Sequence, residues 1–163
     1  MNFFKKLTKK ENKQLADCLA QIGTKFESKE IAETYFLNLR DKDLQELKEL
    51  ELSFPDLLLD HTGESLKRLE KLYFDFFVDK LIPTNIQQEH FENLITQYTR
   101  QVFVTNKIAT WIVFENEFSE GQYEIGLDYG NGEGTNQSFG YGLDKKDDSE
   151  KGQYLYQTFM AYT

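Results

Sequence analysis

The hydrophobic periodicity of the chain changes once, after Lys107. Upstream, apolar residues recur at the three- and four-residue spacing of amphipathic helices. Downstream, residues 108–114 form a short β-branched and aromatic run, and apolar and polar side chains alternate over residues 123–129. Such alternation is typical of a half-buried strand. The pattern predicts an α+β fold with about five N-terminal helices, then a small antiparallel β-sheet and a C-terminal helix.

Capping signals indicate where the helices begin. Thr84-x-x-Gln87 is a capping box, in which the two side chains bond otherwise unpaired amides of the first turn. Ser28 and Thr62 also precede segments with helical periodicity, and each is a good N-cap residue. The expected helices lie at about residues 9–25, 29–40, 44–50 and 64–79, from Thr84 onward, and after Ser149.

The two predicted strands are joined by a turn at residues 118–121, Phe-Ser-Glu-Gly. A four-residue turn places Glu115 opposite Glu124 and Trp111 opposite Asp128. The core face of the hairpin then consists of Ile112, Phe114, Tyr123, Ile125 and Leu127. A five-residue turn is the alternative, and it would shift the register and bury Trp111.

The length and composition of the chain favour one domain over residues 1–163, since no linker or repeat divides it. The one cysteine, Cys18, cannot form an intramolecular disulfide, which favours a reducing compartment. No apolar run reaches the roughly 18 residues of a membrane span, and no signal-peptide pattern follows the basic N-terminus. We therefore expect a cytoplasmic protein without membrane contact.

Negative charge is concentrated at the C-terminal end of the chain. Residues 1–114 carry 16 basic and 18 acidic side chains, whereas the last 49 residues carry three lysines and ten carboxylates. The last 49 residues thus contribute −7 of the net charge of −9. This balance disfavours direct binding to nucleic acid, which requires clustered Lys and Arg. It favours a cationic protein partner.

The sequence contains no catalytic, cofactor or metal motif above background. The glycine loop at residues 130–134 lacks the spacing and the lysine of a phosphate-binding loop, so we interpret it as a connection to a third strand at about 137–142. His61 and His90 do not have zinc-ligand spacing, and the acidic segments lack calcium-loop ligands. We expect no cofactor and no metal, and a non-enzymatic protein more readily than an enzyme.

The predicted hairpin surrounds an aromatic side chain with carboxylates, on the face opposite its core. An aromatic ringed by negative charge suits a Lys- or Arg-rich partner. In the alternative register the carboxylates form only a solvated face. The expected partner-binding residues are Trp111, Glu115, Glu117, Glu124, Asp128 and Glu133.

Three short features resemble a class of small bacterial domains, many uncharacterised and some attached to toxin–immunity loci. They are the Ser-Leu-Lys-Arg-Leu-Glu start of a helix at residues 65–70, a helical tyrosine at Tyr98, and a strand that opens with Trp111. The resemblance covers about residues 64–130. Thr99-Arg100 stands where a Gly-Glu pair often follows the tyrosine. The resemblance implies a helix-rich α+β fold and an immunity-type role.

Together these features predict an acidic, non-enzymatic protein-binding module, such as an immunity-type inhibitor of a basic toxin or enzyme. Two alternatives belong to other functional classes. One is a small-molecule-binding domain or enzyme with a pocket between the helices and the sheet. The other is a nucleic-acid mimic, which would present two rows of carboxylates at phosphate-like spacing.

Overall fold

The computed structural model describes residues 25–146 and 152–163, which form an α+β fold. The expected helix at about 9–25 therefore falls, except for Lys25, outside the described residues, as do Cys18 and Ser149. None of the described helices is long and apolar enough to cross a membrane. In chain order, the elements are α1 (Lys29–Ser53), α2 (Gly63–Tyr73), a π-helical turn (Phe74–Val78), α3 (Gln88–Thr105), β1 (Thr110–Glu115), β2 (Tyr123–Asp128), a 3-10 turn (Leu143–Lys145) and α4 (Tyr154–Met160).

Helix α1 is one unbroken helix of 25 residues, where the sequence predicts two. No glycine or proline interrupts it between Ser28, whose side chain accepts a hydrogen bond from the Ile31 amide, and Phe54, which precedes Pro55. Three α-helices, not about five, therefore precede the sheet in the described residues. One of the five expected helices lies outside the described residues, and the count of the other four is wrong because residues 41–43 are polar but not helix-breaking.

The main core lies between α2, α3 and α4. The Thr62 side chain accepts a hydrogen bond from the Ser65 amide and begins α2, as its sequence context predicts. The predicted helix at 64–79 continues past α2 into the π-helical turn, where the Asp79 amide bonds the Phe74 carbonyl. Fully buried members of this core are Leu66, Leu69, Tyr73, Phe91, Leu94, Ile95, Val102, Phe103 and Leu155.

The hairpin is antiparallel, but its register differs by one residue from the predicted one. Trp111 pairs with Leu127 and Val113 with Ile125. The connection spans residues 116–122, closed by a 2.7 Å bond from the Asn116 amide to the Gln122 carbonyl. This is the register of the alternative five-residue turn, with residues 117–121 between the facing Asn116 and Gln122, and it half-buries Trp111 as that alternative implied.

In this register, β1 turns to the core the side chains that the four-residue turn had placed on the opposite face. Trp111 and Val113 now lie on the face that packs with Ile125 against α1, in a second core cluster with Ala32. The prediction that Ile112 and Phe114 share the core face with Ile125 and Leu127 is wrong, because a one-residue shift moves every side chain of a strand to the other face.

The predicted third strand at 137–142 is not formed in the described chain. A single bridge joins Leu127 to Thr135, after which the segment turns to α3. There the Gly140 amide donates a 2.9 Å hydrogen bond to the Thr96 hydroxyl. A Cβ at position 140 would collide with the backbone of Glu92, so only glycine allows this approach. The segment at 137–142 is thus held by hydrogen bonding to α3 instead of by pairing with a strand.

Candidate functional site

A groove of about 720 Å³ lies between α1, α3 and the hairpin, and we call it the α1–α3 groove. Each helix lines it with residues three and four positions apart, which share one face of a helix. The groove therefore has polar and charged walls built by rigid elements. Helix α1 contributes Tyr35, Phe36, Leu39, Lys42, Asp43 and Glu46, α3 contributes His90, Asn93, Thr96, Gln97 and Arg100, and the hairpin and following loop contribute Asn116, Gln122, Tyr123, Glu124, Ile125, Asn136 and Ser138.

Arg100 is a buried cation of this groove, with 3% of its surface exposed. Its guanidinium donates hydrogen bonds to the carbonyls of Ile125 at 3.2 Å and Gln137 at 2.8 Å, and to the Asn136 side-chain oxygen at 2.5 Å. Burial lowers the pKa of Arg100 to about 10, although the negative charge of Glu124 acts in the opposite direction. Arg100 therefore ties α3 to β2 and to the loop that follows it.

Asp43 is a buried carboxylate of the groove, 9% exposed. Among the described residues, no hydrogen bond or ion pair satisfies its side chain. Burial raises the pKa of Asp43, and the nearby charge of His90 partly opposes this. His90 itself bonds Glu46 at 2.8 Å rather than Asp43. The site thus holds an acceptor whose negative charge has no direct partner in the described chain.

Two amide oxygens of the groove are also buried without a partner in the described chain. They are Oε1 of Gln97 and Oε1 of Gln122, and Gln122 is only 6% exposed. A buried polar atom left unpaired costs about 1–3 kcal/mol. Within residues 25–146 and 152–163, these two oxygens therefore lack a donor, and the Asp43 carboxylate lacks an ion-pair partner.

One end of the groove is aromatic. Phe26 contacts Tyr35 and Phe36, with ring centroids 5.2 and 5.5 Å apart, and reaches Tyr123 at 6.4 Å. Tyr35 is nonetheless nearly half exposed. Such rings offer apolar walls and π-faces to an entering side chain.

Trp111 does not sit in a ring of carboxylates. Its indole N–H donates to Gln101 Oε1 at 3.1 Å, and the Arg40 guanidinium lies over the ring at 5.3 Å from the centroid. The side chain is half-buried and contacts both core clusters. Glu124 and Asp128 pair with Phe114 and Thr110, on the opposite face of the sheet. The predicted arrangement of Trp111 among these carboxylates is wrong, because it depended on the wrong register.

The predicted carboxylates mostly accept local hydrogen bonds from neutral groups. Glu115 accepts from the Gly121 amide at 2.6 Å, and Glu124 accepts from the side chains of Asn116 at 2.7 Å and Asn136 at 2.6 Å. Asp128 accepts from three amides of the glycine loop, and these bonds order the turn of residues 130–132 around its carboxylate.

The remaining acidic residues of this region are exposed. Glu117 and Glu120 accept no hydrogen bond within the described chain, and Glu133 accepts only from the Asn131 side chain at 3.3 Å. We call Glu115, Glu117, Glu120, Glu124, Asp128 and Glu133 together the hairpin carboxylates. None of the ion pairs found among residues 25–146 and 152–163 includes any of them.

Ser65 and Tyr98, which carry part of the resemblance to small bacterial domains, meet in the core rather than in an open site. The Tyr98 hydroxyl donates to the Ser65 side chain at 2.7 Å and accepts from the His61 amide at 3.0 Å. These contacts join α2, α3 and the loop between α1 and α2. Burial raises the pKa of Tyr98. The motif therefore has a clear packing role.

Sequence reasoning named Glu124, which lines the groove, but not Asp43, Gln97 or Gln122. Asp43 lies in a run of charged residues that has the pattern of a solvated helix surface, and Gln97 and Gln122 belong to no motif. No local signal marks them, because their burial depends on how α1, α3 and the hairpin pack together. The expectation of a pocket between helices and sheet, made for the alternative function, describes the position of the groove.

A comparison with the sequence profiles of protein families finds a match for this chain. The sequence profile of the family described as "Uncharacterised protein YwmA" matches residues 25–163. The chain belongs to this family. It is also 32% identical, over 95 residues, to the uncharacterized protein YwmA of Bacillus subtilis (strain 168). That alignment covers 57% of this chain and 60% of the relative, so the chain spans less than two thirds of the YwmA protein it matches.

Membership of the YwmA family confirms the expected relationship to uncharacterised bacterial proteins. The family match extends well beyond the 64–130 segment in which the resemblance was found. No solved structure matches the chain. Because the family is uncharacterised, the immunity-type role and the partner-binding residues stay predictions.

Proposed function

We propose that this YwmA-family chain is a non-enzymatic, acidic module that binds a basic protein partner through its hairpin carboxylates. The observation that carries the proposal is the absence of ion pairing. None of the ion pairs in the described chain involves these six residues, which bond only to backbone amides or to Asn side chains. Their negative charge is therefore available to a cation outside the chain.

The expected physical effect is on the rate of association. Uncompensated charge of one sign steers an oppositely charged partner into encounter, and the effect weakens as salt screens it. An immunity-type inhibitor of a basic toxin or enzyme would gain from such steering, and we propose this form of the function. The half-buried Trp111 is not needed as an anchor, because its indole already bonds Gln101.

The test uses two triple variants with the same change in charge. In the hairpin variant, Glu117, Glu120 and Glu133 become Gln; these are exposed and hold few bonds within the described residues. In the control variant, the exposed Glu49, Glu64 and Glu89 on the three helices become Gln. Both changes should leave the fold intact, because exposed charges contribute little to stability.

The partner is first captured at low salt from cells that express the chain, then identified and purified. Association is measured at about 50 mM and about 300 mM salt, on either side of physiological screening. The hairpin variant should associate about tenfold more slowly at low salt and show a flatter salt dependence, while the control variant should resemble the wild type. Equal effects of both variants, or a captured partner that is not basic, would reject the proposal.

A further inference from the structure

The α1–α3 groove contains buried acceptors that have no donor among the described residues. Gln97 Oε1 and Gln122 Oε1 are buried without a partner among the described residues, and the 9%-exposed Asp43 carboxylate forms none of the ion pairs found there; all three residues line the groove. The cation Arg100 lines the same groove but donates instead to Ile125, Gln137 and Asn136. A ligand that supplies donors would therefore satisfy atoms that the described chain leaves unpaired.

We propose that the α1–α3 groove binds an alkylammonium or guanidinium group, with Asp43 as the anionic partner and the side-chain oxygens of Gln97 and Gln122 as further acceptors. An ammonium brings three donors and a guanidinium five, and both groups are cationic. A charge-assisted bond to a carboxylate is about twice as strong as a neutral one. A cationic donor group therefore matches these acceptors in kind.

The other charged side chains of the groove do not oppose this assignment. Lys42 and Arg100, with His90 when it is protonated, are its cations, and Asp43, Glu46 and Glu124 are its anions. Arg100 is engaged with the backbone of β2 and the following loop, so it is held at the base of the groove. Three carboxylates thus line the groove against one lysine and one arginine, and that arginine is already bonded to the chain.

The aromatic end of the groove suits the carbon stem of the same ligand. Tyr35, Phe36 and Tyr123 line it, and Tyr35 remains nearly half exposed. Methylene groups of a lysine, an arginine or a polyamine can pack along such rings while the charged end bonds deeper acceptors. The apolar stem and the cationic group of the ligand would then contact different residues of one groove.

The cation can come from a side chain of a partner protein or from a free small amine. The probes are therefore agmatine and spermidine as free amines, and the capped peptide acetyl-Gly-Gly-Arg-Gly-Gly-amide as a protein-like source. A diol of the length of agmatine is the uncharged control. Binding is measured by calorimetric titration and by the shifts of the side-chain amide signals of Gln97 and Gln122 in nuclear magnetic resonance spectra.

The decisive variant is Asp43→Asn, which keeps the shape of the side chain and removes its charge. It should weaken binding of the cationic probes about tenfold or more, because the paired charge is lost. Glu49→Gln is the matched control, since Glu49 is an exposed carboxylate on the same helix and does not line the groove. It should leave affinity within about twofold, as expected of a screened surface charge.

Each result decides for or against the groove. Asp43-dependent binding of both probe classes, of the free amines alone, or of the peptide alone supports the assignment, and the pattern names the source of the cation. Absence of binding at millimolar concentration, equal binding of the diol, or equal affinity of Asp43→Asn and Glu49→Gln overturns it. The hairpin variant leaves the groove residues intact, so this inference and the proposed function can fail separately.

Discussion

Glu70 in α2 accepts a hydrogen bond from the backbone N–H of Leu155, 85 residues further along the chain, at 2.9 Å. Its second oxygen accepts from the Tyr154 amide at 3.1 Å. Glu70 is completely buried. Its carboxylate therefore serves as the N-terminal cap of α4, a helix whose own Gln153 provides no side-chain cap. Glu70, which is distant in sequence, thus supplies the hydrogen-bond acceptor that a local Ser, Thr or Asp usually provides at the start of a helix.

Glu70→Ala should strongly destabilise the protein. The change leaves two amides of α4 without their acceptor, and each unsatisfied buried amide costs about 1–3 kcal/mol. Glu64→Ala on the same helix is the control, because Glu64 is exposed and forms only a surface ion pair with Lys67. The control should lose at most about 1 kcal/mol. Urea unfolding at neutral pH measures both, and equal losses would show that Glu70 does not cap α4.

Glu70 should also give stability a pH dependence of definite sign. Burial raises its pKa above the ordinary value of 4.5, although the amides of Leu155 and Tyr154 oppose the rise. The folded state then binds more protons than the unfolded state between 4.5 and the raised value. The contribution of Glu70 to stability therefore increases as pH falls through that window and decreases as pH rises.

Glu70→Gln tests this sign, because a neutral side chain does not titrate. Urea midpoints of the variant and the wild type, measured across the acid range, should differ in slope in that window. The wild type should gain stability relative to the variant as pH decreases toward 4.5. If the urea midpoints of the variant and the wild type changed in parallel with pH, the pKa of Glu70 would be the same in the folded and unfolded states.

The sequence predicts the helices well where one face is consistently apolar. The segment from Thr62 and the segment after Thr84 become α2 and α3, because apolar positions at helical spacing coincide with packing partners. The predicted capping box at Thr84 is wrong, since α3 begins at Gln88 without a side-chain cap. The sequence predicts helix boundaries less well where most residues of the helix are polar. Helix α1 buries only Ala32, Asp43 and Leu47, so its weak apolar stripe gave no basis for joining two predicted helices.

The hairpin and the groove show why site prediction is harder than element prediction. Alternation over 123–129 located β2, but the register depends on how Asn116 and Gln122 close the connection, which no periodicity encodes. The groove requires the side chains of α1 and α3 to face one another, and their sequence positions lie about 50 residues apart. Local patterns therefore indicate the strands, while the site arises only from packing.

Gly134→Ala should destabilise the hairpin through one side chain. A Cβ at position 134 would overlap the ring of Phe114, although the backbone there is not in the left-handed region. Overpacking of this kind costs about 1–3 kcal/mol. In a Phe114→Leu background the same change should cost less, because the smaller side chain can move away. A double-mutant cycle in thermal unfolding measures the coupling, and additive effects would contradict the contact.

Arg100→Met should be more destabilising than the loss of an exposed arginine. It removes the donors to Ile125, Gln137 and Asn136 and leaves buried acceptors unpaired, so we expect a loss of about 3 kcal/mol or more. Arg68→Met is the control, since Arg68 is more exposed and bonds the Leu58 carbonyl and Asp60. Hydrogen exchange should further show faster opening of residues 135–140 in the Arg100 variant alone.

Trp111 links the two core clusters, and its substitutions should affect stability rather than partner binding. Trp111→Phe keeps an aromatic ring but loses the bond to Gln101, at an expected cost of about 1 kcal/mol. Trp111→Ala removes the ring from between α1, α3 and the sheet. Removing a fully buried aromatic ring costs about 3–5 kcal/mol of stability. Because the Trp111 ring is half-buried, its removal should cost about 2–3 kcal/mol.

Denaturant melts of both Trp111 variants are compared with association of the captured basic partner at low salt. Each variant should lose stability in the expected order while its association rate stays within about twofold of the wild type, because the hairpin carboxylates carry the steering charge. Gln101→Ala should cost about as much as Trp111→Phe, since either removes the same hydrogen bond. A Trp111→Ala variant that kept its stability but lost partner binding would instead identify the indole as an exposed anchor, as the wrong register had suggested.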